Sequence, residues 1–109
     1  RKARRLYRER HETAIRLASR LIPHKKIRGE GGLHIFIELT DDLNAREVLA
    51  ECYRRGVLFM PGEIFYTDGG GRNTFRLGIF RVNEEQMEKG FKIIGEVIKE
   101  LEEDNNALF

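Results

Sequence analysis

Two segments of the chain alternate strictly in side-chain character, and they limit the fold more than any other feature. In 33–39, Leu33, Ile35, Ile37 and Leu39 point one way and His34, Phe36 and Glu38 the other. In 74–80, Phe75, Leu77 and Ile79 share one face, with Thr74, Arg76, Gly78 and Phe80 opposite. Successive side chains leave a strand on opposite sides, so each segment reads as a strand with one buried face. Such strands need a second layer to lie against.

Helical patterns flank them. Residues 1–22 read as a helix in which Leu6, Ala14, Leu17 and Leu21 fall on one stripe between Arg-rich faces. Pro23 ends it, because proline has no N–H to donate and restricts the residue before it. His24 to Gly32 reads as a polar, basic connection closed by Gly31-Gly32. Thr40-Asp41-Asp42 is a turn, and a second helix starts at Asn44, with Glu47 three residues on as in a capping box. Val48, Leu49 and Cys52 form its apolar face, and Gly56 is placed to stop it in a left-handed conformation. Val57 to Met60 is a short apolar run read as a buried strand. The loop 61–73 holds Ile64-Phe65-Tyr66 and Gly69-Gly70-Gly71, and a loop of this length in a small domain is often functional. Asn83 and Gln86 cap a third helix running to about Glu103, with Met87, Phe91, Ile94, Ile98 and Leu101 inward. Residues 104–109 read as a frayed tail.

The expected order is α-β-α-β-β-α in one domain, 1–109. That is a two-layer α+β sandwich: a small, mainly antiparallel sheet with helices on one face. The other strand face, carrying His34, Phe36, Arg76 and Phe80, has no cover within the chain, so something outside it is expected to supply one.

Composition removes several function classes. At 109 residues and 40% hydrophobic content the chain builds one modest core. No apolar run reaches the ~18 residues of a membrane span, and no signal-peptide pattern opens the sequence. The single cysteine, Cys52, excludes an internal disulfide framework and fits a reducing cytoplasm. It lies at an apolar helix position, where a small buried hydrophobe is the ordinary explanation and a nucleophile is not. His11, His24 and His34 have no metal-ligand spacing. Gly69-Gly70-Gly71 matches neither the Walker nor the dinucleotide pattern.

Charge is unevenly spread. Residues 1–28 carry 11 Lys/Arg against Glu9 and Glu12, while residues 29–109 carry 9 basic and 16 acidic side chains. A basic first helix could contact phosphates. Tyr7 is the only aromatic within it, so base-stacking platforms are missing, and a solvated or domain-facing helix explains the charge as well. Arg76 is the most informative cation: mid-strand, between large apolar neighbours, on the uncovered face. Its guanidinium suits a planar carboxylate through two parallel charge-assisted bonds. A cross-strand pair with Glu38 is equally compatible with its position.

Three segments carry a resemblance: Gly31-Gly32-Leu33-His34; Arg55 to Tyr66, with Gly56-Val57 and Pro61-Gly62-Glu63-Ile64-Phe65-Tyr66; and Asn73-Thr74-Phe75-Arg76-Leu77. Together they resemble the C-terminal small domain of fold-type I, pyridoxal-phosphate-dependent aminotransferases, in the aminoadipate, kynurenine and multi-substrate branch. They equally resemble the aminotransferase-like module of MocR-type GntR regulators.

The resemblance implies that Arg76 binds the substrate α-carboxylate and that Asn73, just before it, is also a substrate-binding residue. It implies that Phe65 and Tyr66 lie near the substrate mouth and shape selectivity. His34 stands where relatives carry an aromatic residue. Pyridoxal phosphate would be held by the full-length parent, because Lys2, Lys25, Lys26, Lys89, Lys92 and Lys99 all lie on helices or the basic connector and match no cofactor-lysine motif. The chain would then hold no catalytic residue. A missing large domain would be its partner, amino acids and 2-oxo acids the substrates, and a cytoplasmic homodimer the parent. The alternatives are an effector-sensing domain fused behind a winged-helix DNA-binding domain, and a stand-alone domain binding nucleic acid through its basic helix.

Overall fold

The computed structural model describes residues 2–31, 34–57, 60–61, 71–79 and 81–107. In chain order it contains α1 (Lys2–Leu21), β1 (Lys26–Glu30), β2 (His34–Glu38), α2 (Ala45–Arg54), β3 (Met60–Pro61), β4 (Thr74–Gly78) and α3 (Glu84–Ala107). The strands form one antiparallel sheet in the order β1-β2-β4-β3. The α+β class is as the alternation implies, but the order is α-β-β-α-β-β-α.

The added element is β1, where a connection was expected. Lys26–Glu30 pairs with β2 from Lys26↔Glu38 to Glu30↔His34. Only Ile27 of this strand packs against the core, so apolar content gives little sign of it. Gly29 lies beneath the ring of His11, and a Cβ there would overlap that ring. The glycine thus lets α1 settle onto the sheet edge. Gly31, at φ +62°, follows β1 in the left-handed conformation that favours glycine.

The core lies between one sheet face and the helices. Ile35 and Ile37 of β2 stand opposite Leu77 and Phe75 of β4, and all four are buried. Ala14, Leu17 and Ala18 of α1, Val48 and Cys52 of α2, and Met87, Phe91, Ile94 and Ile98 of α3 close over them. Leu6 departs from its expected stripe and is 59% exposed. Arg16 pairs with Glu84 at the first turn of α3, so the residues of α1 well before Arg16 extend past the start of its partner helix.

Local chemistry sets the helix ends. Asn83 and Gln86 cap α3 reciprocally: Gln86 N–H donates to Asn83 Oδ1 at 2.8 Å, and Asn83 N–H to Gln86 Oε1 at 2.9 Å. Asn44 caps α2 by accepting from Arg46 N–H at 2.8 Å, while Glu47 N–H bonds the Asn44 carbonyl at 3.0 Å. Gly56, at φ +90°, stops α2 as expected. The run 57–60 contributes Met60 to β3, whereas Val57 N–H turns back to the Cys52 carbonyl at 2.8 Å. The third helix continues to Ala107, four residues beyond its expected end at Glu103. The loop tip with Gly69-Gly70, and the tail residues Leu108 and Phe109, lie outside the described residues.

Candidate functional site

The sheet face turned away from the helices carries the candidate site. Along it, Arg28 of β1, Phe36 of β2 and Arg76 of β4 stand in register, and Glu30, His34 and Gly78 form the adjoining row. Phe36 is 5% exposed although it faces away from the core. The Arg28 guanidinium contributes to its cover, lying 4.2 Å from the ring centroid as a cation–π contact.

Arg76 lies between the buried Phe75 and Leu77, so its backbone is fixed by core packing. The turn before it is tied down on both sides. Leu39 N–H donates to the Asn73 carbonyl at 2.8 Å, Asn73 Nδ2 donates to the Leu39 carbonyl at 2.6 Å, and Ala45 N–H reaches the Arg72 carbonyl at 2.7 Å. Thr74 Oγ1 donates to the Gly71 carbonyl at 2.6 Å. Asn73 therefore holds the entry of β4 against the end of β2, with its amide nitrogen committed to backbone.

Arg76 Nε meets Glu30 Oε2 at 2.6 Å. Both atoms are enclosed, yet the N–H is not aligned for a hydrogen bond to that oxygen. The other carboxylate oxygen of Glu30, Oε1, lies 3.9 Å from Arg28 Nη2. The sequence offered Glu38 as the cross-strand partner of Arg76, and this is corrected. Glu38 stands opposite Thr74 and pairs with Lys25 at 3.8 Å. Glu30 enters the site because β1 is a strand, and reading 24–32 as a connection hid it. The period-two pattern of Lys26, Arg28 and Glu30 against Ile27 and Gly29, closed by Gly31-Gly32, was the available signal.

The remaining candidates are dispersed. Phe65 and Tyr66 lie outside the described residues. His34 packs against Gly78, and His24 Nδ1 lies 2.7 Å from the Ile22 carbonyl. Among the described residues no three His, Cys, Asp or Glu side chains gather to hold a metal ion. Cys52 is buried, and that burial pushes its thiol up to about 11, away from nucleophilic use at neutral pH. Two arginines of the basic helix are engaged within the fold, Arg16 with Glu84 and Arg20 with Glu88 on α3. Among the described residues no helix is long and apolar enough to cross a membrane.

A cavity of about 430 Å³ opens between the end of α2, β4 and α3. Its described lining holds Arg55, Gln86 and Lys89 among apolar groups, with no carboxylate to face a pyridine nitrogen and no hydroxyl for a phosphate. These residues do not fit pyridoxal phosphate.

No protein-family model matches the chain. Among curated proteins it is 30% identical over 102 residues to a 2-aminoadipate transaminase of Thermus thermophilus, covering 92% of this chain and 26% of that protein. It is 29% identical to aromatic-amino-acid aminotransferase 1 of Thermococcus litoralis, covering 86% of this chain and 23% of the relative. Among solved structures, the kynurenine aminotransferase of Pyrococcus horikoshii superposes with a TM-score of 0.81 at 31% identity, over 91% of this chain and 25% of that one. The alpha-aminoadipate aminotransferase of Thermus thermophilus, complexed with N-(5'-phosphopyridoxyl)-L-leucine, gives 0.80 at 31% identity, over 92% and 26%.

The homologues of this chain are aminotransferases, as its motifs implied. The chain spans about a quarter of the length of the relatives it matches, the share that a small domain of the fold-type I enzymes would occupy.

Proposed function

We propose that the chain is the C-terminal small domain of a pyridoxal-phosphate-dependent aminotransferase, in which Arg76 binds the substrate α-carboxylate. The parent transfers an amino group between an amino acid and a 2-oxo acid, and works in the cytoplasm as a homodimer. A large domain outside this chain holds the cofactor, which supplies the electron sink for the transfer.

The observation that carries the reading is the Arg76 guanidinium, held mid-strand on the sheet face turned away from the described helices and in contact with a carboxylate, that of Glu30. A guanidinium fixed in this way fits a carboxylate in one orientation, and so orients the atoms attached to it. Asn73 contributes by fixing the strand that presents Arg76. Phe65 and Tyr66 would border the bound side chain.

The test is steady-state kinetics on the full-length protein that carries this segment. Arg76→Ala raises KM for both amino acid and 2-oxo acid strongly, and leaves the absorbance of bound cofactor unchanged. Arg76→Lys recovers only part of the loss, because an ammonium lacks the two parallel donors. Unchanged 2-oxo acid turnover in Arg76→Ala would remove the assignment.

A further inference from the structure

The ion pair between Arg76 and Glu30 has features that a purely structural pair does not need. Glu30 divides its carboxylate, Oε2 against Arg76 Nε at 2.6 Å and Oε1 toward Arg28 Nη2 at 3.9 Å. Glu30 thus gives neither guanidinium both of its oxygens. The closer contact encloses an N–H and an oxygen without the alignment of a hydrogen bond, which leaves part of their desolvation cost uncompensated. The two side chains are 27% and 29% exposed, and ion pairs with access to water are weak enough to exchange. Glu30 is also the last residue of β1, directly before the left-handed turn at Gly31, so its side chain stands at the end of a hairpin arm.

We propose that Glu30 is an internal stand-in for the substrate carboxylate. It holds the Arg76 guanidinium while no substrate is bound and gives it up to an incoming carboxylate, which can present both oxygens to that one guanidinium. The inference rests on the reading of Arg76 given above and adds a residue and a selectivity to it. No bond is made or broken, and the exchange replaces one charge pair by another. Glu30 is a positioning residue: it keeps the guanidinium in place between turnovers and lowers apparent affinity by competing. It also sets a threshold for binding, since a ligand without a carboxylate leaves Glu30 where it is. Amines that resemble the substrate but lack the carboxylate therefore leave the Arg76–Glu30 pair in place.

The experiment uses the full-length protein with acetate as a plain carboxylate probe, beside its amino-acid and 2-oxo acid substrates. Glu30→Gln is expected to lower KM for both substrates, and the inhibition constant of acetate, by about two- to fivefold, with kcat within a factor of two. Glu30→Asp shortens the arm and gives intermediate values, and it serves as the test if the glutamine variant does not fold. In an Arg76→Ala background, Glu30→Gln should change none of these constants. Unchanged or raised KM in both Glu30 variants overturns the inference while leaving the Arg76 reading intact. An equal drop in KM without Arg76 also overturns it, because the effect would then be general charge. If Arg76→Ala itself leaves KM unchanged, the reading of Arg76 fails and the stand-in falls with it.

Discussion

The carbonyl oxygen of Leu21, at the end of α1, packs directly against the Cα of Gly95 in the middle of α3. Any Cβ at residue 95 would overlap that oxygen, and Pro23 closes the same spot from the side. The obstruction is backbone, which gives way only by moving a helix end. Gly95→Ala is therefore expected to destabilise the fold by about 1–3 kcal/mol, despite alanine's better helix propensity. Gly90, in the same helix, has open space where a Cβ would go. Gly90→Ala should stabilise by about 0.5–1 kcal/mol. Urea unfolding of the two variants side by side checks the pair, and opposite signs are the expected result.

The reciprocal Asn83–Gln86 cap satisfies two backbone donors at the start of the longest helix. Asn83→Ala should cost about 1 kcal/mol and Gln86→Ala less, while Asn83→Ser retains most of the stability. Thermal unfolding midpoints order the three. An equal effect of Asn83→Ala and Asn83→Ser would show that the side-chain acceptor is not what holds this end.

Cys52 gives an alkaline signature. Burial raises its thiol from 9.0 to about 11 in the folded chain. The neutral thiol is thus favoured by folding, and its contribution is complete below pH 9 and fades as pH rises toward the folded value. Thiol labelling at pH 8 should proceed only through unfolding, its rate following denaturant concentration. Cys52→Ala should flatten the loss of stability between pH 9 and about 11.

Arg55 sits between two acids, 2.6 Å from Glu100 Oε2 and 3.3 Å from Glu51 Oε1, and so ties the end of α2 to α3. Arg54, at 2.8 Å, is the main cause of a Glu51 carboxyl lying below its ordinary 4.5, with Arg55 adding to the effect. A lowered carboxylate contributes fully above 4.5 and loses that contribution as pH falls through its folded value. Glu51→Gln should weaken the fold at neutral pH and converge with the parent in acid. Added salt should narrow the difference at pH 7, because these side chains are open to solvent.

What the sequence made legible follows from how strongly burial marks each element. β2 and β4 stood out because both lie inside the sheet, with Ile35, Ile37, Phe75 and Leu77 all inward. β1 did not, because an edge strand contributing only Ile27 to the core has a charged remainder that looks like a connection. Glu30 was lost with it, and the partner of Arg76 was sought at Glu38. Leu6 fits the helical stripe by spacing, yet it lines an open surface pocket beside Asn83, Glu84 and Met87 and stays 59% exposed, and how far two helices overlap is not written in either one alone. The run from Asp104 to Ala107 is polar and shows no period, but the backbone continues its helix there. Arg76 itself was legible, because a guanidinium between two buried neighbours is conspicuous in any alternating strand.

The charges of β1 also bear on self-association. Lys26, Arg28 and Glu30 line one border of the sheet, where a bare row of backbone donors and acceptors would recruit a strand from another copy. Charged borders of this sort deter such recruitment, since an added strand would bring like charges side by side and strip them of water. The 109-residue chain should therefore resist fibre formation along that border.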